Sequence, residues 1–377
     1  MTGSGAGKTV LVLQGGGALG SYQGGVYQAL SENGVAVDWV GGISIGAINA
    51  AIIAGNPPEA RVKELHNFWE HVSSGVLVED LVNEALPHAW ANNAAAAYIA
   101  TFGVPGFFNP RLVSPQFHPP GSPAALSYYD TGPLRETLLA HVDFDRINAG
   151  DTRLSVSAVN VKSGNFVNFD SAHQKIGPEH IMASGALPPG FAPIEIDGEF
   201  YWDGGLVSNT PLDYVTSEFG GSDDTTVFQV DLFSARGPMP GTMIDAGERA
   251  KDIRFSSRTR FITDMVRYDC TQGNALRNLL AKLPDELQND PDAQYLAKHM
   301  GRQASLTIAH LIYRGKLTET RSKDYLFTRR SVREHWAAGL HDAETTLNHP
   351  DWLNRARGAP GVAVFDLARD APPAAAE

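Results

Sequence analysis

Ser44 stands at the centre of Gly42-Ile43-Ser44-Ile45-Gly46, a G-x-S-x-G. A serine hydroxyl becomes a useful nucleophile only when it is presented, relieved of its proton and supported as negative charge develops. The flanking residues supply the presentation. Asp38 to Ile43 are apolar and β-prone and read as a short buried strand, whereas Ala47 to Ala54 are small and helix-compatible. A strand turning sharply into a helix at Ser44 carries the hydroxyl on a strained tip, with Gly42 and Gly46 keeping side chains out of the turn. The helix N-terminus adds free N–H groups and the positive end of a dipole. For the proton, the candidate base is Asp203 of Asp203-Gly204-Gly205, whose two glycines let the loop approach Ser44 closely. For the anion, the bare turn Gly15-Gly16-Gly17-Ala18-Leu19-Gly20 points backbone N–H groups inward, and the Ile45 N–H adds one more. Together these residue types suit acyl transfer through serine.

The elements that must position them follow from pattern. Residues 9–14 (TVLVLQ) read as a first buried strand, and SYQGGVYQALSENG as a helix ended by Asn33-Gly34. Parallel strands bring their C-terminal ends to one edge of a sheet, so the glycine turn and the serine turn converge. Residues 59–72 carry a helical apolar stripe, with His66 and His71 off metal-ligand spacing, and residues 76–101 form an alanine-rich helical stretch. Residues 102–127 are rich in Pro, Gly and aromatics, the composition of a long ordered loop. Within it Phe107 and Phe108 are candidates for a lid or a membrane contact, the alternative being packing onto the core. Residues 152–161 alternate as a strand and NFVNFDS supplies its partner; PEHIMASGALPP begins a short helix broken at Pro188-Pro189. Residues 225–233 and 305–314 read as strands, 242–283 as one or two long helices with Arg254 and Arg258 on one face, and 329–347 as a helix. A strand after helices implies that the C-terminal third returns to the same sheet. The resulting division is a core over 8–235, a mainly helical extension over 236–357 and a disordered tail over 358–377.

Composition narrows the class. With 377 residues, 43% hydrophobic and 19% charged, the chain has material for a substantial core. Its only cysteine, Cys270, excludes an intrachain disulfide and suits a reducing compartment. The N-terminus lacks a signal-peptide pattern and no apolar run reaches the length of a membrane span, so the expected location is the cytoplasm, with peripheral membrane contact through the mildly basic segment 241–350 or the Phe107 loop. The net charge of −12 argues against nucleic acid as a partner. No metal-ligand spacing such as H-E-x-x-H occurs, and the sequence calls for no metal and no cofactor.

Other classes compete for the same residues. Gly15-x-Gly17-x-x-Gly20 with Asp38 downstream matches the dinucleotide fingerprint of an oxidoreductase, although Asp38 stands at the start of the second strand and not at its end. The Lys8-Thr9 dipeptide resembles a phosphate loop, but Thr2 replaces the first glycine and no strand precedes it. An α/β-hydrolase triad requires a histidine in a loop after a late strand; His310 falls within a strand, and His299, His335, His341 and His349 lie in or beside helices. A non-catalytic lipid-binding module is the third alternative.

The motifs GGGALG, GISIG and DGG in this order, with ASGALPPGF at 183–191, resemble the patatin-like phospholipase family over residues 9–235. Residues 241–350 resemble a C-terminal extension found in some bacterial members. The resemblance implies an α/β three-layer sandwich with a mostly parallel central sheet and a helical C-terminal elaboration. It also implies a lipid or acyl-ester substrate and a Ser–Asp dyad without histidine: Ser44 as nucleophile, Asp203 as base, and Gly15, Gly16, Gly17, Ala18 and Ile45 as the oxyanion turn. The motif glycines are Gly20, Gly42, Gly46, Gly204 and Gly205. Leu19 stands where the family commonly has Arg, which removes a cation near the anion site and leaves the backbone donors.

Overall fold

Val10 and Val12 face one way from the first strand, Leu11 and Leu13 the other, and all four are buried in two different apolar clusters. A strand buried on both faces belongs in the middle of a sheet covered by helices on each side. The computed structural model describes residues 7–75, 88–218, 224–299, 305–315, 323–358 and 361–368. In chain order its main elements are β1 (Lys8–Leu13), α1 (Ser21–Glu32), β2 (Trp39–Gly42), α2 (Ile45–Ala54), α3 (Pro58–Val72) and α4 (His88–Phe102). There follow α5 (Gly132–His141), β3 (Arg153–Asn160), β4 (Phe166–Asp170), α6 (Pro178–Ser184), β5 (Ile194–Ile196) and β6 (Glu199–Asp203). The last set is α7 (Leu212–Ser217), β7 (Asp224–Asp231), α8 (Met243–Leu280), β8 (Ser305–Ile312), α9 (Arg329–Asn348) and β9 (Gly361–Phe365).

The nine-stranded sheet runs β9-β8-β7-β1-β2-β3-β6-β5, with β4 also paired to β3. From β9 to β3 every neighbour is parallel; β4, β5 and β6 are antiparallel additions. This is the mostly parallel three-layer α/β architecture.

Register explains how two distant motifs meet. Val156 of β3 pairs with Gly42 of β2 on one edge and Phe169 of β4 on the other. Ala158 pairs with Val167 of β4 and with Asp203 of β6. So β2 and β6 share one edge of β3 and run toward each other. Their C-terminal ends, Gly42 and Asp203, sit two register positions apart, which delivers Ser44 and Asp203 to one place.

On one face, α1 and α9 approach closely through glycines. A Cβ on Gly25 would lie 1.9 Å from the Trp336 carbonyl oxygen, and one on Gly339 would lie 2.0 Å from that of Tyr22. The Tyr22 hydroxyl donates to Asp342 at 2.7 Å, the Trp336 indole N–H to Gln28 at 2.7 Å, and His66 stacks on Trp336. On the other face Leu212 and Val215 of α7 and the half-buried Ile262 and Val266 of α8 cover Val10, Val12 and Val227.

Two expectations are revised. Phe107 and Phe108 are not exposed lid residues: both are buried, Phe107 against Phe191 and Phe327, Phe108 against Tyr129 and Phe191. Packing against Phe191, Phe327 and Tyr129 removes apolar surface from water that a loop tip would leave exposed. Part of the segment expected to be disordered, 361–365, forms β9, because Gly-Val-Ala-Val-Phe is β-prone and finds the open edge of β8; residues 369–377 lie outside the described residues. The alanine-rich helix spans His88–Phe102, and residues 76–87 of that expectation lie outside the described residues.

Candidate active site

Ser44 adopts φ 56° and ψ −123°, a positive φ that only one other non-glycine residue among those described, Asp197, shares. Such a backbone costs of order 1–3 kcal/mol and persists only when its surroundings hold it. The hold is visible. The Ser44 N–H donates to the carbonyl oxygen of Ser184 at 3.2 Å and to its Oγ at 3.0 Å, and the Ser184 hydroxyl donates to the Ser157 carbonyl at 2.7 Å. The flanking glycines are required by space. A Cβ on Gly42 would lie 2.3 Å from the Gly46 carbonyl oxygen, and one on Gly46 would lie 2.3 Å from that of Leu13. The residue after the nucleophile, Ile45, opens α2, so Ser44 caps that helix.

Asp203 is 2% exposed. Its carboxylate accepts a hydrogen bond from the Gly205 N–H at 2.7 Å, and the Ser44 hydroxyl faces it closely enough to pull its pKa down. Burial pushes its pKa up to about 6, against the opposing pull of the Ser44 hydroxyl and the Gly205 N–H. An ordinary aspartate is too weak a base for this role near neutral pH; this one is brought closer to the range in which general bases work. The Asp203 N–H donates to the Ala186 carbonyl at 3.0 Å. Residues 184–186 therefore hold both partners, Ser44 through its amide and Asp203 through its own. Gly204 is needed because a Cβ there would fall 2.6 Å from the Ser157 carbonyl oxygen; at Gly205 it would fall 2.9 Å from Asn209 Oδ1.

The glycine turn packs directly against Ser44: a Cβ on Gly15 would lie 3.0 Å from Ser44 Cβ. Its donors are fewer than the motif implies. The Gly15 N–H donates to the Asn209 carbonyl at 3.2 Å, and the Ala18 N–H to the Asp324 carbonyl at 2.7 Å. Both are spent within the protein, because buried N–H groups take the nearest acceptor, and this corrects the wider donor set. Among the described residues no acceptor is recorded for the N–H groups of Gly16, Gly17 or Ile45. Gly20, at the end of the turn, lies against Ile45 and Trp69, and its carbonyl accepts from Asn49 of α2 at 2.9 Å. Asn49 also meets Gln23 and the Trp69 indole, so one buried polar network joins the turn, α1, α2 and α3.

Four supporting residues carry no signal that singles them out in the sequence. Asn209 bonds Gly15 twice, through its carbonyl and through Nδ2 to the Gly15 carbonyl at 2.9 Å, and so stitches the Asp203 loop to the glycine turn. Ser184 lies inside the ASGALPPGF block, where its position was the only clue. Gln14 accepts from the N–H groups of Leu232 and Phe233 at 2.6 and 3.0 Å and fixes the end of β7 to that of β1. Asp324 comes from beyond residue 300 and nothing in its local sequence points to the site.

The rival assignments lose their residues. Asp38 sits at the opposite end of the sheet, where its carboxylate accepts from the Thr9 N–H at 2.8 Å. Lys8 is the first residue of β1. Among the described residues no histidine hydrogen-bonds Ser44 or Asp203; His310 is in β8 and His335 packs on Tyr313. Arg254 lies over the Phe255 ring, and the side chain of Arg258 lies outside the described residues. No group of His, Cys, Asp and Glu among the described residues could hold a metal ion, and no described helix is long and apolar enough to cross a membrane. A cleft of about 850 Å³ opens beside the ends of β7 and β8, lined by Arg249, Arg314 and Asp231, with neither Ser44 nor Asp203 on its wall. Burial pushes Asp231 up to about 7.

Comparison with known proteins identifies the family. The profile described as patatin-like phospholipase matches residues 11–216, and one described as patatin phospholipase matches 253–359. The chain is 29% identical over 215 residues to patatin-like phospholipase domain-containing protein 6 of Mus musculus and of Homo sapiens, covering 56% of this chain and 13% of each relative. It thus spans about an eighth of the length of those curated relatives. Among solved structures, VipD from Legionella pneumophila is similar at 15% identity and a TM-score of 0.36, over 88% of this chain and 66% of that one. Human GIVD cytosolic phospholipase A2 is similar at 13% identity and a TM-score of 0.33, over 59% and 43%. With the first profile spanning more than half of its residues, and with the glycine turn, the serine elbow and the Asp-Gly-Gly loop assembled at one sheet edge, the chain belongs to the patatin-like phospholipase family.

Proposed function

We propose that the protein is a serine acylhydrolase that cleaves lipid acyl esters through Ser44 and Asp203. The observation that carries this reading is Ser44, on a strained positive-φ turn, placed against the buried carboxylate of Asp203, whose pKa is lifted to about 6. In the first step Ser44 Oγ attacks the ester carbonyl while its proton passes to Asp203. The carbonyl oxygen becomes an oxyanion, with Gly16, Gly17 and Ile45 as the available N–H donors. The carbonyl reforms, the C–O bond to the alcohol breaks, and Asp203 returns its proton to the leaving alkoxide. Water then attacks the acyl-serine, giving its proton to Asp203, and the fatty acid leaves as Ser44 recovers a proton. No histidine is needed because one carboxylate handles each transfer.

A fluorophosphonate probe should label the wild type and leave Ser44→Ala unlabelled, and Ser44→Ala should lose p-nitrophenyl ester hydrolysis by about 10⁴. Equal labelling of both proteins would reject Ser44 as the nucleophile.

The lipid would be met at an interface. Leu112, Val113, Phe117 and Tyr128 are exposed, and the Tyr128 N–H donates to the Pro189 carbonyl, close in sequence to the segment that holds Asp203. Exposed apolar side chains grouped on one loop suit peripheral contact with a lipid surface. Leu112→Asp with Phe117→Asp is expected to lower hydrolysis of vesicle lipid about tenfold and to leave a soluble ester unaffected. An equal effect on both substrates would remove the membrane role. In this reading the enzyme works in a reducing compartment such as the cytoplasm, where Cys270 stays a thiol.

A further inference from the structure

The glycine turn is covered by a strap from the far end of the chain. The Asp324 carbonyl accepts from the Ala18 N–H at 2.7 Å. The same oxygen lies 1.9 Å from where a Cβ on Gly17 would stand, and Gly17 has φ +56°. Only glycine leaves that notch open. The strap is locked to α8 by two ion pairs between adjacent residues: Lys251 with Asp324 at 2.5 Å and Lys323 with Asp252 at 2.9 Å. All four side chains are between 13% and 25% exposed, so solvent screens them less than a surface pair. Downstream, Leu326 and Phe327 are buried, and Phe327 stacks on Trp69, which closes on Gly20.

We propose that the strap Lys323–Phe327, locked by the Lys251–Asp324 and Lys323–Asp252 pairs, is a positioning element for the oxyanion turn. This rests on the acylhydrolase reading above. By taking the Ala18 N–H, the Asp324 carbonyl fixes the Gly17–Ala18 peptide plane and with it the orientation of the Gly16 and Gly17 amides. A turn of bare glycines has no side chains to hold its own conformation, and a donor displaced by a fraction of an ångström loses most of its value in the transition state. The C-terminal extension thereby supplies stiffness that the catalytic core lacks by itself.

The test uses the full chain with Lys251→Asp, and with the swap Lys251→Asp/Asp324→Lys. The single change places three carboxylates together; the swap restores two opposite-charge pairs of the same combined length. Two readouts are taken: steady-state kinetics on a soluble p-nitrophenyl ester, and hydrogen–deuterium exchange of the peptide spanning residues 14–21. Lys251→Asp should exchange at least tenfold faster in that peptide and lose kcat at least tenfold with KM within twofold. The swap should return both to within threefold of wild type. Unchanged exchange in Lys251→Asp overturns the proposal, as does a rise in kcat, which would make the strap a plug. Loss of both readouts without recovery in the swap overturns it too, as general unfolding. If the wild type hydrolyses no ester, the acylhydrolase reading falls, while exchange still reports whether the clamp holds the turn.

Discussion

Asp203→Asn is expected to lower kcat for ester hydrolysis by about 10³–10⁴, because it removes the carboxylate that faces the Ser44 hydroxyl. The wild-type pH profile carries the same signature. A base with its pKa lifted to about 6 is protonated below that value, so kcat/KM should fall about tenfold per unit of pH below about 6 and level off above it. Stability should move the other way. A carboxyl whose folded pKa lies above its unfolded value adds stability that is complete below the unfolded pKa and is lost as pH rises through about 6. At about pH 8 the charged Asp203 is therefore a burden on the fold. Asn retains an acceptor for the Gly205 N–H without the buried charge, so the variant should melt at or above the wild-type temperature. Less activity with equal or greater stability separates a catalytic role from a structural one. A profile flat through pH 6, or full activity in Asp203→Asn, would remove Asp203 from the chemistry.

Gly46→Ala should be nearly as damaging, through space alone. The added methyl would stand 2.3 Å from the Leu13 carbonyl oxygen and 2.8 Å from that of Gln14, backbone atoms at the end of β1 that cannot swing aside. Relief requires α2 to move away from β1, which separates Ser44 from the glycine turn. A displacement of about 1 Å at a reacting centre costs about 10² in rate, and overpacking costs about 1–3 kcal/mol. We expect kcat to fall at least 10² and the urea midpoint to drop. Gly34→Ala is the matched control: its Cβ would meet nothing within 4 Å, and only its φ of +70° is strained. Comparable kinetics in Gly46→Ala and wild type would mean that the elbow tolerates a gap the geometry denies.

The serine elbow was legible because its causes are local. Trp39 to Ala54 carry strand, bend and helix within one continuous stretch, and the glycines that the turn requires are adjacent to the residue they serve. Asp203 was legible for a similar reason, since Glu199–Asp203 is a short strand and Gly204-Gly205 follow at once. What escaped was everything settled by distant atoms. Gly15 and Ala18 look like free donors in sequence; Asn209 and Asp324 decide otherwise, from 194 and 306 positions away. Phe107 and Phe108 read equally well as a lid or as core, and the arrival of Phe191, Tyr129 and Phe327 chose the core. Residues 361–365 are β-prone, but five such residues become a strand only where a partner is offered, and the unpaired backbone row of β8 lies far away in sequence.

That last pairing has a practical corollary. β8 and β9 finish the sheet on the flank of β7, where Thr225 to Asp231 match Leu306 to Ile312 rung by rung. A recombinant fragment cut after residue 235 would leave the apolar β7 as a naked rim, a template for neighbouring copies to latch onto. Insoluble or inactive protein from such a fragment would therefore speak to a missing bumper, and not to a faulty catalytic core.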